Sequence, residues 1–227
     1  MNSLLKFVLL LFCVVNGWCG DLRVVCFGDS TTAPRDGVSV YCDQIRQPGL
    51  QTINRGVRGN TTEAARARFA ADVLEAKPDI VILQFGINDS TVDVWKTPPA
   101  TAPRVPVERF QENLTYFIRT LRASGCKVIV MTFNPLAWTD KMREMYAKPP
   151  YDTSDPMGFN AGRAPYLHAI RDIAKASGAI LLDVDAAYRA YASEPGHSLN
   201  DLLLDGIHPN TMGQQLTSNL LRTALRQ

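Results

Sequence analysis

Short apolar runs rich in β-branched residues recur along the chain, separated by longer stretches in which apolar positions return every three or four residues. A strand covered on both faces can be apolar at every position, whereas a helix lying on a sheet keeps a single apolar stripe. Residues 22–27, 51–54, 80–84, 127–132 and 179–182 are therefore the expected strands. Between them, Asn60 and Glu63 make a capping-box-like start to a helix in which Ala65, Phe69 and Val73 recur, with Pro78 as its stop. Residues 107–123 carry Phe110, Leu114, Phe117 and Leu121 on one stripe before Gly125, and residues 164–176 carry Leu167, Ile170 and Ala174 before Gly178. A last helix opens near Asn210 and repeats Met212, Leu216 and Leu220. Strands alternating with helices predict the α/β class, a three-layer α/β/α sandwich around a five-stranded parallel sheet.

Two segments fit neither period. Residues 89–106 contain four prolines, and residues 134–165 mix Pro135, Pro149, Pro150, Pro156 and Gly158 with a short helical piece over 139–147. Each follows a strand at its carboxyl end, where open α/β sheets bind ligands, so the two are the expected rim of a site.

Composition adds limits more than direction. The chain has 227 residues, 46% hydrophobic and 20% charged, which is one ordinary domain with a substantial core. Its 24 basic residues nearly balance 22 acidic ones without any charged block, which argues against nucleic acid or an anionic membrane surface as a partner. The amino terminus is the exception. One lysine, Lys6, precedes nine uninterrupted apolar residues, 7–15, too few to span a bilayer but suited to a secretory signal. Gly17 and Cys19 place small residues before a cut after Cys19, giving a signal peptide over 1–19, a mature domain over 20–227, and a secreted or periplasmic protein with no stable membrane insertion. Trp18 stands where a lipoprotein needs a small residue, which argues against a lipid anchor. Three cysteines then remain, Cys26, Cys42 and Cys126, without metal or redox spacing. The expectation is no essential disulfide, although the sequence leaves open whether any two of them pair.

Chemistry enters at the strand ends. Ser30 follows the first strand on a glycine-containing turn, where a parallel sheet presents side chains to its functional edge. Asp29, Ser30 and Thr31 are equally the residues that cap turns and helix starts. A serine nucleophile needs a base, and the chain has three histidines. His168 shares a helix face with Arg171, Asp172 and Lys175, a solvated stripe, and His197 has no evident orienting partner. His208 lies three residues after Asp205, a separation at which a carboxylate in a turn reaches the imidazole, fixing its tautomer and stabilising its charged form. The same pair would also serve as a plain helix cap. For a developing oxyanion, Gly59 offers a backbone N–H at a helix start and Asn88 a side-chain amide after the third strand, both also ordinary turn residues.

Taken together, the blocks Gly28-Asp29-Ser30, Gly59, Gly86-Ile87-Asn88-Asp89 and Asp205-Gly206-Ile207-His208-Pro209 resemble those of the SGNH hydrolases, also called the GDSL family, in order, spacing and strand-end setting. The resemblance covers nearly all of residues 22–227 and implies a flavodoxin-like fold and a serine esterase. It implies that Ser30 is the nucleophile, His208 the general base and then acid, and Asp205 the residue that orients His208. It also implies an oxyanion hole of the Ser30 and Gly59 N–H groups and the Asn88 amide, with no metal or organic cofactor. Thr31 replaces the family's usual leucine, and this GDST block looks more like the branch of secreted carbohydrate acetylesterases that includes rhamnogalacturonan acetylesterase. The expected substrate is a small-molecule or polysaccharide ester, with acetate the expected acid. In the two loops, Trp95, Trp138 and Tyr151 are candidates for stacking on sugars, and Lys96, Arg104 and Arg163 for meeting a uronate, each with packing or solvation as the plain alternative.

Overall fold

The computed structural model describes residues 21–226, so the expected signal segment lies outside the described residues. Five parallel strands, β1 (Leu22–Gly28), β2 (Leu50–Gly56), β3 (Ile80–Gln84), β4 (Lys127–Met131) and β5 (Ile180–Leu182), form one sheet in the order β2-β1-β3-β4-β5. β2 runs beyond the expected residues 51–54 at both ends because its whole length pairs with β1, from Leu22 opposite Leu50 to Gly28 opposite Gly56. As an edge strand it is only partly buried, so its apolar signal understates it. Thr132 and Ala179 fall just outside their strands.

Successive side chains of a strand point to opposite faces, and the core divides accordingly. Val25, Phe27, Val81, Leu83, Val128 and Val130 face the layer of α2 (Thr62–Phe69), α3 (Val107–Ala123) and α5 (Ala164–Ser177). On this side Phe27, Phe69, Phe85 and Phe117 meet with ring centroids 4.8–6.3 Å apart. Val24, Cys26, Ile80, Ile82, Ile129 and Met131 face α1 (Tyr41–Gln44), α6 (Val184–Ser193) and α7 (Thr211–Leu225). A short α4 (Asp140–Tyr146), capped by the Thr139 hydroxyl, lies within the second irregular segment and adds Met142 and Tyr146 to the first layer.

Several local expectations shift. α2 is capped by Thr61, whose hydroxyl accepts from Ala64 N–H, and not by Asn60, whose side chain is taken by Arg68. It continues as one wider turn over Ala70–Leu74 and ends before Pro78. α5 closes on Gly178 at φ 65°, the left-handed geometry that favours glycine. The buried face of α7 is Gly213, Gln214, Thr217, Ser218 and Leu221, while Met212 is exposed, so the stripe read from apolar residues is rotated from the true one. α1 and α6 are additional to the helices read from periodicity. A disulfide joins Cys26 to Cys42 with Cα atoms 6.2 Å apart, tying β1 to α1, whereas Cys126 is free and burial pushes its thiol up to about 12. Among the described residues no helix is long and apolar enough to cross a membrane.

The strand order fixes where a site can lie. From β1 the chain steps outward to β2 and then crosses to β3 on the other side, so the connections leaving β1 and β3 diverge. A crevice opens above the carboxyl ends of these two strands.

Candidate active site

Ser30 stands two residues past the end of β1, at this crevice. Its loop is held from below: buried Asp29 accepts from the Thr31 N–H and hydroxyl, both at 2.9 Å, and Gln84 at the end of β3 bonds the Thr31 and Thr32 hydroxyls. Tyr41 and Gln214 complete the support, Tyr41 through the Thr32 hydroxyl and Gln214 by donating to the Thr31 carbonyl at 2.9 Å.

His208 arrives from the other end of the chain on a turn before α7. Asp205 accepts from the Ile207 and His208 N–H groups with Oδ1, at 3.0 and 2.9 Å, and meets His208 Nδ1 with Oδ2 at 2.8 Å. Gly206 makes this turn possible at φ 85°, packed so closely on Ala137 that a Cβ would collide with its carbonyl. Asn134, in the second irregular segment, donates to the Ile207 carbonyl at 3.0 Å. His208 Nε2 lies 3.0 Å from Ser30 Oγ. A carboxylate only accepts, so Nδ1 carries the proton and Nε2 is left to accept from the serine hydroxyl. Half-burial would raise the Asp205 carboxyl, but hydrogen bonds from His208 outweigh it and hold the group well below the usual carboxylate range. His168 and His197 are exposed elsewhere, the latter 3.9 Å from Asp201 and over the Tyr191 ring.

Asn88 and Gly59 approach from the ends of β3 and β2. Asn88 Nδ2 donates to the Asn60 carbonyl at 3.1 Å, and Asp89 Oδ1 accepts the Thr62 N–H at 2.8 Å and hydroxyl at 2.5 Å, which locks these two loops together. Among the described residues, neither the Ser30 nor the Gly59 N–H donates a hydrogen bond within the chain, leaving both as donors for a ligand. Asp29 and Asp89 each bury an Oδ2 without a hydrogen-bond partner, and burial pushes both carboxyls up to about 6. The sequence places Asp29 and Asp89 within the site blocks without a role of their own. Their burial depends on loops that meet in space and leaves no periodic trace.

A cavity of about 130 Å³ opens beside Ser30, lined also by His208, Asn88, Arg104, Tyr146 and Arg163. An open depression of about 860 Å³ on the outer side of α3 shares no residue with it and is edged by solvated charges such as Glu108 and Arg119. Most of the proposed sugar-contacting residues have other work. Trp138 is buried and stacks on Phe159 at 4.6 Å, and Tyr151 is buried with its hydroxyl on Val92 N–H at 2.9 Å. Arg163 is buried and donates to the Ile87 carbonyl and Ser90 hydroxyl at 3.1 and 2.7 Å. Lys96 pairs with Asp93 at 2.8 Å, and Trp95 alone among the three aromatics is exposed.

A sheet of this order, with serine, histidine and asparagine gathered at the carboxyl ends of its strands, defines a carboxylic ester hydrolase of the SGNH type. The chain belongs to the GDSL-like Lipase/Acylhydrolase family, whose model matches residues 26–216. It is 37% identical over 142 residues to the Uncharacterized lipoprotein YqeF of Bacillus subtilis (strain 168), a match spanning 57% of this chain and 56% of that protein. It is 25% identical over 182 residues to an acetylxylan esterase of Geobacillus stearothermophilus, spanning 79% of this chain and 72% of that one. The crystal structure of Axe2, an acetylxylan esterase from Geobacillus stearothermophilus, shares the fold with a TM-score of 0.69 at 21% identity, over 90% of this chain and 94% of that chain.

Proposed function

We propose that this protein hydrolyses short acyl esters of carbohydrates, acetyl esters first, through an acyl-Ser30 intermediate. The observation that carries the reading is the continuous relay from Ser30 Oγ to His208 Nε2 at 3.0 Å and from His208 Nδ1 to Asp205 at 2.8 Å. As Oγ attacks the ester carbonyl, His208 takes its proton, and the carbonyl oxygen becomes an oxyanion facing the Ser30 and Gly59 N–H groups and the Asn88 amide. Collapse of this intermediate breaks the bond to the alcohol, which leaves with the proton from His208. Water then attacks the acyl-serine, giving its proton to His208, and the acid departs as Oγ is reprotonated. Asp205 orients the ring and stabilises the imidazolium at each stage.

The small size of the cavity supports a short acyl group over a long chain. The acetylxylan esterase relative supports a sugar as the alcohol. The apolar segment 7–15 and the lipoprotein relative support export, with a mature chain beginning at Gly20. The test is acetate release from p-nitrophenyl acetate and acetylated xylooligosaccharides. Ser30→Ala should lower turnover by roughly four orders of magnitude or more while the unfolding curve stays in place. Retained turnover refutes the nucleophile assignment, and an octanoyl ester cleaved as well as the acetyl ester moves the substrate to lipids.

A further inference from the structure

Asn88 has one orientation problem that its own residue type cannot solve. The two ends of a carboxamide have nearly the same shape, and only the nitrogen end can donate to an oxyanion. The contacts at its two ends therefore decide together whether the nitrogen faces the reacting carbon, and the oxygen end needs a donor in contact with it. Here that donor is Arg104, whose Nη1 lies 2.9 Å from Asn88 Oδ1. A guanidinium has five N–H donors and no acceptor, so it can face only the oxygen end. Asn88 Nδ2 then has two hydrogens to place: one goes to the Asn60 carbonyl at 3.1 Å, and the other is available to the cavity beside Ser30.

Arg104 is itself held by the rest of its fork. Nε lies 3.1 Å from both oxygens of Asp93, and Nη2 lies 2.7 Å from Asp93 Oδ1. The Asp93 side chain is 4% exposed, and Arg104 and Lys96 hold its carboxyl below the usual range against the opposing effect of burial. The backbone adds a clamp: Arg104 N–H donates to the Thr91 carbonyl and Val105 N–H to the Asp89 carbonyl, at 3.0 and 3.1 Å. The proline-rich segment thus folds back on the end of β3 and delivers one rigid cation to one amide oxygen. A cationic donor on the oxygen also polarises the amide and strengthens its N–H as a donor.

We propose that Arg104 is a positioning residue for this reaction, setting the orientation of the Asn88 amide and strengthening it as an oxyanion donor, with Asp93 aligning the guanidinium. This rests on the assignment of Asn88 to the oxyanion hole. A residue that merely braced the loop would change KM and stability whether or not Asn88 were present. A residue that acts through Asn88 should alter kcat, and only while Asn88 is there.

The experiment is a double-mutant cycle on p-nitrophenyl acetate with wild type, Asn88→Ala, Arg104→Gln and the double variant. Asn88→Ala should lower kcat by roughly a hundred- to a thousandfold. Arg104→Gln should lower kcat by roughly tenfold or more, with KM within about twofold of wild type, as expected for a misdirected group. The double variant should be no slower than Asn88→Ala by more than about threefold, because the two losses are one loss. If Arg104→Gln keeps its kcat, or if the losses multiply in the double variant, the inference is overturned while the oxyanion assignment stands. If Asn88→Ala itself keeps full kcat, the oxyanion assignment falls and takes the inference with it. Should Arg104→Gln melt early because Asp93 is left with Lys96 alone, the cycle is repeated with Asp93→Asn/Arg104→Gln, which removes both charges and carries the same expected pattern.

Discussion

Replacing Asp89 by asparagine should stabilise the protein at neutral pH and leave its stability unchanged only in acid strong enough to protonate the carboxyl of the unfolded chain as well. Asp89 is buried, and loss of hydration pushes its carboxyl from 3.8 up to about 6, even though the Thr62 hydroxyl and N–H favour the ionised form. A carboxyl raised by folding keeps its proton in the native state over a range where the unfolded chain has already released it. Native stability therefore falls as pH rises from about 4 to about 6 and stays lower above that. A difference of about two pKa units corresponds to about 3 kcal/mol of native-state destabilisation at neutral pH. Asparagine resembles the protonated acid: its oxygen can still accept from Thr62, and its amide takes the place of the Oδ2 that has no partner. Neutralising Asp89 also removes a repulsion from Asp29, whose carboxyl is raised mainly by burial and further by Asp89, so the gain has the same sign at both sites.

For a chain of this size, about 3 kcal/mol is a rise in Tm on the order of 6–12 °C. Thermal unfolding followed by circular dichroism at about pH 7.5 should show that rise, and at about pH 3, where the carboxyl is protonated in both the folded and the unfolded chain, the two proteins should melt together. An equal shift at both pH values, or a variant less stable at pH 7.5, would refute the assignment of a buried, destabilised carboxylate. The gain in stability marks what the ionised group is kept for. A charged acceptor binds the first N–H of α2 more strongly than a neutral one, and this bond ties the loop before α2, which carries Gly59, to the loop carrying Asn88.

Three further outcomes follow from the same contacts. Asp205→Asn should lower kcat by roughly four orders of magnitude with little change in fold, because an amide donating to Nδ1 leaves the proton on Nε2, where His208 can no longer accept from Ser30; steady-state kinetics on p-nitrophenyl acetate reads it. Cys26→Ala/Cys42→Ala should cost about 3 kcal/mol from the lost closure of a loop with a sequence separation of 16 residues, seen as a lower Tm in thermal unfolding, and an unchanged Tm would show that the bond adds nothing. Gly206→Ala should cost about 1–3 kcal/mol of backbone strain and displace His208, so that activity falls before unfolding begins, as parallel melting and rate measurements would show.

How much of this was legible in the chain depended on whether a residue's role was local. β1, β3 and β4 are readable nearly to the residue because their centres are buried on both faces and run apolar without interruption, whereas β2, half exposed at the edge, reads short at both ends. The four site blocks were readable because each sits at a strand end or a turn with its own small signature. α7 was misread by a rotation, since its inner face packs polar atoms: Gln214 donates to the Thr31 carbonyl and accepts from Tyr41 N–H, so the buried side of this helix is not its most apolar side. The bond of Arg104 to Asn88 spans 16 residues across three prolines, with no period to reveal it, and Cys42 is one of two possible partners for Cys26 among the three cysteines of the mature chain. The same distinction orders the energetics. The aliphatic and aromatic layers that make the fold legible hold the sheet together, while Asp29, Asp89 and Arg163 are buried against the hydration of their charges at the carboxyl end of that sheet. Polar groups so placed keep a low-dielectric crevice electrostatically organised before any substrate enters, which is the condition under which fixed donors lower a barrier instead of merely binding an ester.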